Sequence, residues 1–121
     1  MKTIILSAML VLLFQIIHIF EEIALKAFEL EKGKNPRSKY LRVSSVLVTV
    51  GFVILAGLVL NVRAAVYASF FLVLISVGNT AAHAVLSIKH KGKLGYGFPS
   101  SVFLGLAGLN LLWQLVIYLA P

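Results

Sequence analysis

Residues 4–22 read IILSAMLVLLFQIIHIFEE. As far as Phe20 only Ser7, Gln15 and His18 interrupt the apolar run. Such a stretch is long enough for a helix in lipid and too long for a buried strand. Met1-Lys2 precedes it, which is how a signal peptide also begins. No Ala-x-Ala-type cleavage site follows, and charged Glu21-Glu22 does, so the segment is read as a retained span. It covers about residues 3–20, with the helix continuing to about residue 30.

The rest of the chain repeats the pattern. Of 121 residues, 60% are hydrophobic and 12% charged. Soluble domains are about 45–50% apolar and about a quarter charged, so the surplus must face lipid. Three further apolar runs cover about residues 43–60, 64–88 and 100–119. Between them lie a polar connector at 26–42 with breakers Gly33, Asn35-Pro36 and Ser38, the short turn Asn61-Val62-Arg63, and a second connector at 89–99. Four spans use roughly 80 residues and leave room only for loops. The expected fold is all-α: one domain over 1–121, a polytopic bundle of four transmembrane helices.

Charge sets the expected orientation and excludes several functions. The connectors carry Lys26, Lys32, Lys34, Arg37, Lys39, Arg42, Lys89, Lys91 and Lys93, against Lys2 and Arg63 on the other face. Nine against two places the connectors in the cytoplasm and both termini outside, in a cytoplasmic membrane. The net charge of +7 is then loop lysine facing anionic lipid, not a nucleic-acid surface. With no cysteine there is no disulfide, thiolate metal site or thiol nucleophile.

All four acids, Glu21, Glu22, Glu29 and Glu31, lie within eleven residues. Glu29 sits one turn from both Lys26 and Lys32, and Glu29 and Glu31 are read as solvated. Glu21 and Glu22 belong to the end of the first span. On a helical wheel centred at His18, Glu22 falls about 40° to one side, Glu21 about 60° to the other, and Gln15 about 60° round. The third span carries a matching stripe, with Asn79 and His83 one turn apart and Ser76 and His90 in the same arc. His18 and Asn79 each lie some 15 residues from the outer end of their spans, roughly 22 Å deep. Ionisable groups at membrane depth are expensive and face the bundle interior, so the two stripes are expected to meet.

Two imidazoles and a carboxylate form a ligand set for a divalent metal: zinc first, with iron or manganese as alternatives. In that reading His18, Glu22 and His83 hold the metal. Whichever of Glu21 and Glu22 is not a ligand serves as general base, and Asn79 orients the substrate or an oxyanion.

The His18-x-x-Glu21-Glu22 motif ending an N-terminal hydrophobic helix, followed by Asn79-x-x-x-His83 in a later one, resembles the HXXEE-domain family of small bacterial integral membrane proteins. The resemblance covers the layout of the whole chain and implies the topology and the site, not a reaction. The family's Pro-Gly step into the last helix is Pro99-Ser100 here. A looser likeness, of chemistry alone, is to intramembrane proteases of the CAAX-processing type, which pair Glu-Glu in one helix with Asn and His in others.

Plainer readings compete at each position. Glu21 and Glu22 could emerge at the headgroups, and Asn79 with His83 could be a helix–helix hydrogen bond. His90 among lysines reads as solvated. Ser44, Ser45, Thr49, Ser100 and Ser101 could line a pocket or bond their own backbone one turn back. Gly105, Ala107 and Gly108 signal close helix packing, Asn110 and Gln114 join helices or a dimer, and Tyr40, Trp113 and Tyr118 are interfacial anchors. Three functions follow. One is a metal-dependent intramembrane hydrolase of a lipid-soluble or membrane-embedded substrate. Another is a proton- or cation-coupled transporter working as a homodimer, and the third is a non-catalytic partner subunit. The nearly apolar outer halves of spans one and three favour the first.

Overall fold

The fold, taken from a computed structural model, is described for residues 1–25, 35–89 and 98–121, with Phe98 through its backbone only. The described residues form four helices: α1 Lys2–Ala24, α2 Pro36–Val59, α3 Arg63–Lys89 and α4 Phe98–Leu119. Each is long and apolar enough to cross a membrane. In hydrocarbon every backbone N–H and C=O must be satisfied within the segment, and a helix does this without a partner. The architecture is that of a multi-pass helical membrane protein.

Sequence neighbours pack side by side, and α4 closes the ring against α1. Cross-helix pairs give the directions. Ser7 bonds Asn110 and His18 meets Ser100, so α4 runs antiparallel to α1. Thr80 donates to the Ser101 carbonyl and Ser76 lies against Gly108, so α3 and α4 are antiparallel too. The bundle runs up-down-up-down, and parallel α1 and α3 touch across its diagonal.

The turn between α2 and α3 is closed by Asn61 at φ 57°, with Asn61 N–H donating to Leu58 O and Val62 N–H to Gly57 O. This is a Schellman ending with asparagine at the left-handed position, which its short polar side chain tolerates. Helix α2 begins seven residues earlier than its apolar run, at Pro36 rather than residue 43. Polarity over 36–42 reads as connector, but proline at the first helical position starts a helix instead of breaking one. Residues 26–30, the expected extension of the first helix, lie outside the described residues.

The interior has two storeys. At the end holding the termini it is mainly apolar, with Ile4, Ala8, Val11, Leu58, Leu111 and Leu115 buried beside two serines, Ser7 and Ser69. At the connector end it is polar, with Gln15, His18, Ser76, His83, Ser100 and Ser101 buried. Both storeys lie on one stripe of α1: residues 4, 7, 8, 11, 12, 15 and 18. Where α3 meets α4, a Cβ at Gly105 would strike Thr80 and one at Gly108 would strike Ser76. Lipid tails are as apolar as leucine, so this close approach, not water exclusion, holds the pair.

Candidate functional site

His18 lies in the connector-end storey with none of its surface exposed. A buried imidazole needs partners. One ring nitrogen, Nδ1, lies 2.8 Å from the Ser100 hydroxyl. The other, Nε2, faces Glu22 on the next turn of α1, 3.2 Å from Oε1. That approach is off the line a hydrogen bond requires, and Nε2 makes none. Across the diagonal, His83 of α3 brings its own Nε2 to 2.9 Å from the same Glu22 oxygen. The two imidazoles meet edge to face, centroids 4.7 Å apart.

Three ligand atoms from His18, Glu22 and His83 thus lie within 4.8 Å of one another. Ligands held about 2.0–2.1 Å from a tetrahedral zinc stand about 3.3 Å apart, close to the separations from the Glu22 oxygen. If Nδ1 of His18 donates to Ser100, Nε2 carries a lone pair 3.2 Å from a carboxylate oxygen. Two acceptors facing each other in a buried site repel, unless a proton or a cation sits between them. The group therefore has the composition, spacing and unsatisfied nitrogen of a metal site, and it could hold a metal ion.

Surrounding groups orient this cluster. Glu22 takes a hydrogen bond from the Tyr40 hydroxyl on α2. Glu21 reaches the start of α4, where Oε2 accepts from the Ser100 backbone N–H at 3.2 Å. Its charge sits at a helix N-terminus, among N–H groups that have no partner within the helix. Ser100 is therefore held by Glu21 through its backbone and meets His18 through its hydroxyl. The two neighbouring glutamates have separate positions: Glu22 in the cluster and Glu21 one layer behind it.

Asn79 stands beside the cluster. With Gln15, Glu22, Tyr40 and Ser44 it lines a cavity of about 280 Å³ between α1, α2 and α3. The Gln15 Oε1 atom is buried there without a hydrogen-bond partner. Ser76 donates to the Val73 carbonyl beneath Gly108, and Ser45 and Thr49 are exposed at the edge of α2. Asn110 joins α4 to Ser7 of α1. His90, Glu29 and Glu31 lie outside the described residues.

Two members of the site were undervalued by sequence reasoning. Ser100 reads as a hydroxyl bonded to its own backbone, as Thr49 and Ser69 are. At the first turn of a helix, however, no helical carbonyl lies four residues back. Pro99 before it is the signal that this hydroxyl must look elsewhere. Tyr40 reads as an interfacial anchor because 36–42 reads as a connector. Once those residues are helical, Tyr40 turns inward to Glu22.

Fold and site together define a class: a four-helix polytopic membrane bundle with a buried His/Glu/His centre at one end. No protein family matches the chain, and no curated protein and no solved structure was found to be similar to it. The likeness to the HXXEE-domain family rests on the His18-x-x-Glu21-Glu22 and Asn79-x-x-x-His83 motifs alone.

Proposed function

We propose that the chain is a metal-dependent intramembrane enzyme, a hydrolase acting on a lipid-soluble or membrane-embedded substrate. The carrying observation is the convergence of His18 Nε2, Glu22 Oε1 and His83 Nε2 from two helices, with the His18 nitrogen making no hydrogen bond. Three protein ligands leave a fourth position for water, which is the arrangement of catalytic rather than structural zinc. A bound divalent metal supplies a water acidic enough to be a nucleophile near neutral pH.

The chain's own groups divide the remaining work. Glu22 is the ligand, with its second oxygen held by Tyr40. Glu21 is a positioning residue: it fixes Ser100, and Ser100 fixes the ring of His18. In the adjoining cavity the Gln15 carbonyl is an unused acceptor for the attacking water, and the Asn79 amide is a donor for a developing oxyanion. The apolar storey favours an enzyme over an alternating-access transporter, because Ile4, Ala8, Leu58, Val66, Leu111 and Leu115 fill the path to the opposite face. On this reading the site opens at the cytoplasmic side of the cytoplasmic membrane, and the family likeness extends to a shared centre.

Elemental analysis of purified protein tests the proposal. Wild type is expected to carry about one divalent ion per chain, zinc foremost, and His83→Ala to lose it while keeping its helical circular dichroism. Absence of stoichiometric metal in wild type sinks the metalloenzyme. Metal that survives His83→Ala sinks the two-helix site.

A further inference from the structure

Helix α2 is held unevenly. In its second half Gly51, Ile54 and Leu58 are buried against the bundle, whereas Ser44 alone is buried in the first half. At the end that carries the candidate site α2 therefore stands away from α1, and the gap is a cleft of about 420 Å³. Its walls include Ile16 and Phe20 of α1 and Val48 and Thr49 of α2. The volume falls within the roughly 300–1,000 Å³ usual for small-molecule sites.

This cleft lies between two other hollows and shares wall residues with each. Inward it shares Ile19 and Ser44 with the cavity that contains Glu22, Tyr40 and Asn79. Outward it shares Leu41 and Ser45 with a shallow depression of about 910 Å³ at the start of α2, where Arg37 and Arg42 stand. The cleft thus has a basic rim on one side and the candidate centre on the other, with a wall shared with each. The arginines lie on the first turns of α2, the level of lipid headgroups, and Val48 and Thr49 lie deeper. Tyr40 lies between Arg37 and Arg42 along α2 and reaches Glu22, so Glu22 stands at the level of the arginines.

We infer that the site takes a membrane amphiphile with an anionic phosphate headgroup, which enters sideways between α1 and α2. The phosphate rests on Arg37 and Arg42, the apolar chain lies along Ile16, Phe20 and Val48, and the headgroup end faces the Glu22 cavity. Charge complementarity selects the anionic headgroup, because arginine forks match phosphate oxygens. The inference rests on the hydrolase reading for the fate of the amphiphile, but its docking is testable without any reaction.

The test uses the full chain in lipid nanodiscs with two photoactivatable probes. Both carry a diazirine in the acyl chain, one on phosphatidylglycerol and one on phosphatidylcholine, and adducts are mapped by mass spectrometry. The expected result is phosphatidylglycerol labelling concentrated on Ile16, Phe20 and Val48, well above exposed Leu109 and Val116 of α4. Phosphatidylcholine labelling should be spread over all exposed faces. Arg37→Gln with Arg42→Gln should weaken competition by unlabelled phosphatidylglycerol roughly 30-fold, about fivefold per charge near the surface. Thr49→Trp should fill the cleft and remove its labelling, with the thermal midpoint and metal content kept. Even labelling by both probes, equal preference for phosphatidylcholine in the cleft, or chain-to-chain adducts through Ile16 and Val48 would each overturn the inference. Metal content is read on the same samples. Cleft labelling in a metal-free protein removes the hydrolase and leaves the docking site, whereas bound metal with uniform labelling does the reverse.

Discussion

At the residue scale, the site depends on how one imidazole is turned. His18 is completely buried, so its ring orientation is set by what meets Nδ1, and that is Ser100. Ser100→Ala removes this partner without changing the three proposed ligands. The expected outcome is metal affinity lower by about 10- to 100-fold, measured by competition with a chelator, at nearly unchanged thermal stability. Ser100→Thr keeps the hydroxyl and should restore most of the affinity. Unchanged affinity in Ser100→Ala would mean that the helix packing alone orients the ring. The histidines and glutamates of the site were legible in the sequence because ionisable residues are rare inside apolar runs. Their division of labour was not. Adjacent Glu21 and Glu22 differ by about 100° around the helix, and which of them faces α3 or α4 depends on where those helices stand.

At the element scale, two helices were read with different success. Helix α3 matches its apolar run closely, because Asn61 and Lys89 bracket it in sequence as they do in space. Helix α2 extends past its apolar run, because hydropathy marks the depth of lipid and not the end of helical hydrogen bonding. The α3–α4 pair carries the element-scale prediction. Gly108 lies under Ser76, so Gly108→Leu overpacks the contact and should destabilise the bundle by about 1–3 kcal/mol. Gly78 is the internal control, with nothing within 4 Å of its Cβ position. Gly78→Ala should raise the unfolding midpoint slightly, as expected for glycine replaced inside a helix. Thermal unfolding in detergent followed by circular dichroism checks both. An unshifted midpoint in Gly108→Leu would show that the two helices can separate at little cost.

At the scale of the whole molecule, charge and packing point to one polar end. Arg37, Lys39, Arg42 and Lys89 flank the storey that holds the cluster, and Lys2 and Arg63 flank the other. The excess of basic residues at one end predicts that this end lies in the cytoplasm and that both termini face outward. Alkaline phosphatase fused after Pro121 should therefore be active and a fluorescent protein fused there dark. The opposite pattern would invert the orientation and move the site to the outer face.

The sequence by itself determined that the chain spans a membrane four times, which helices carry ionisable groups and at what depth. Those properties follow from composition and from the fixed rise of a helix, and neither depends on neighbours. Tertiary structure alone decided that Glu22 rather than Glu21 meets His83, that Glu21 turns to the start of α4, and that Ser100 and Tyr40 complete the surroundings. Each of these is a matter of rotation about a helix axis. In lipid, burial of apolar surface does little to choose a rotation, since both faces of a span are apolar. The choice falls to close packing at Gly51, Gly105 and Gly108 and to the polar groups that must find one another, which are properties of helices in contact.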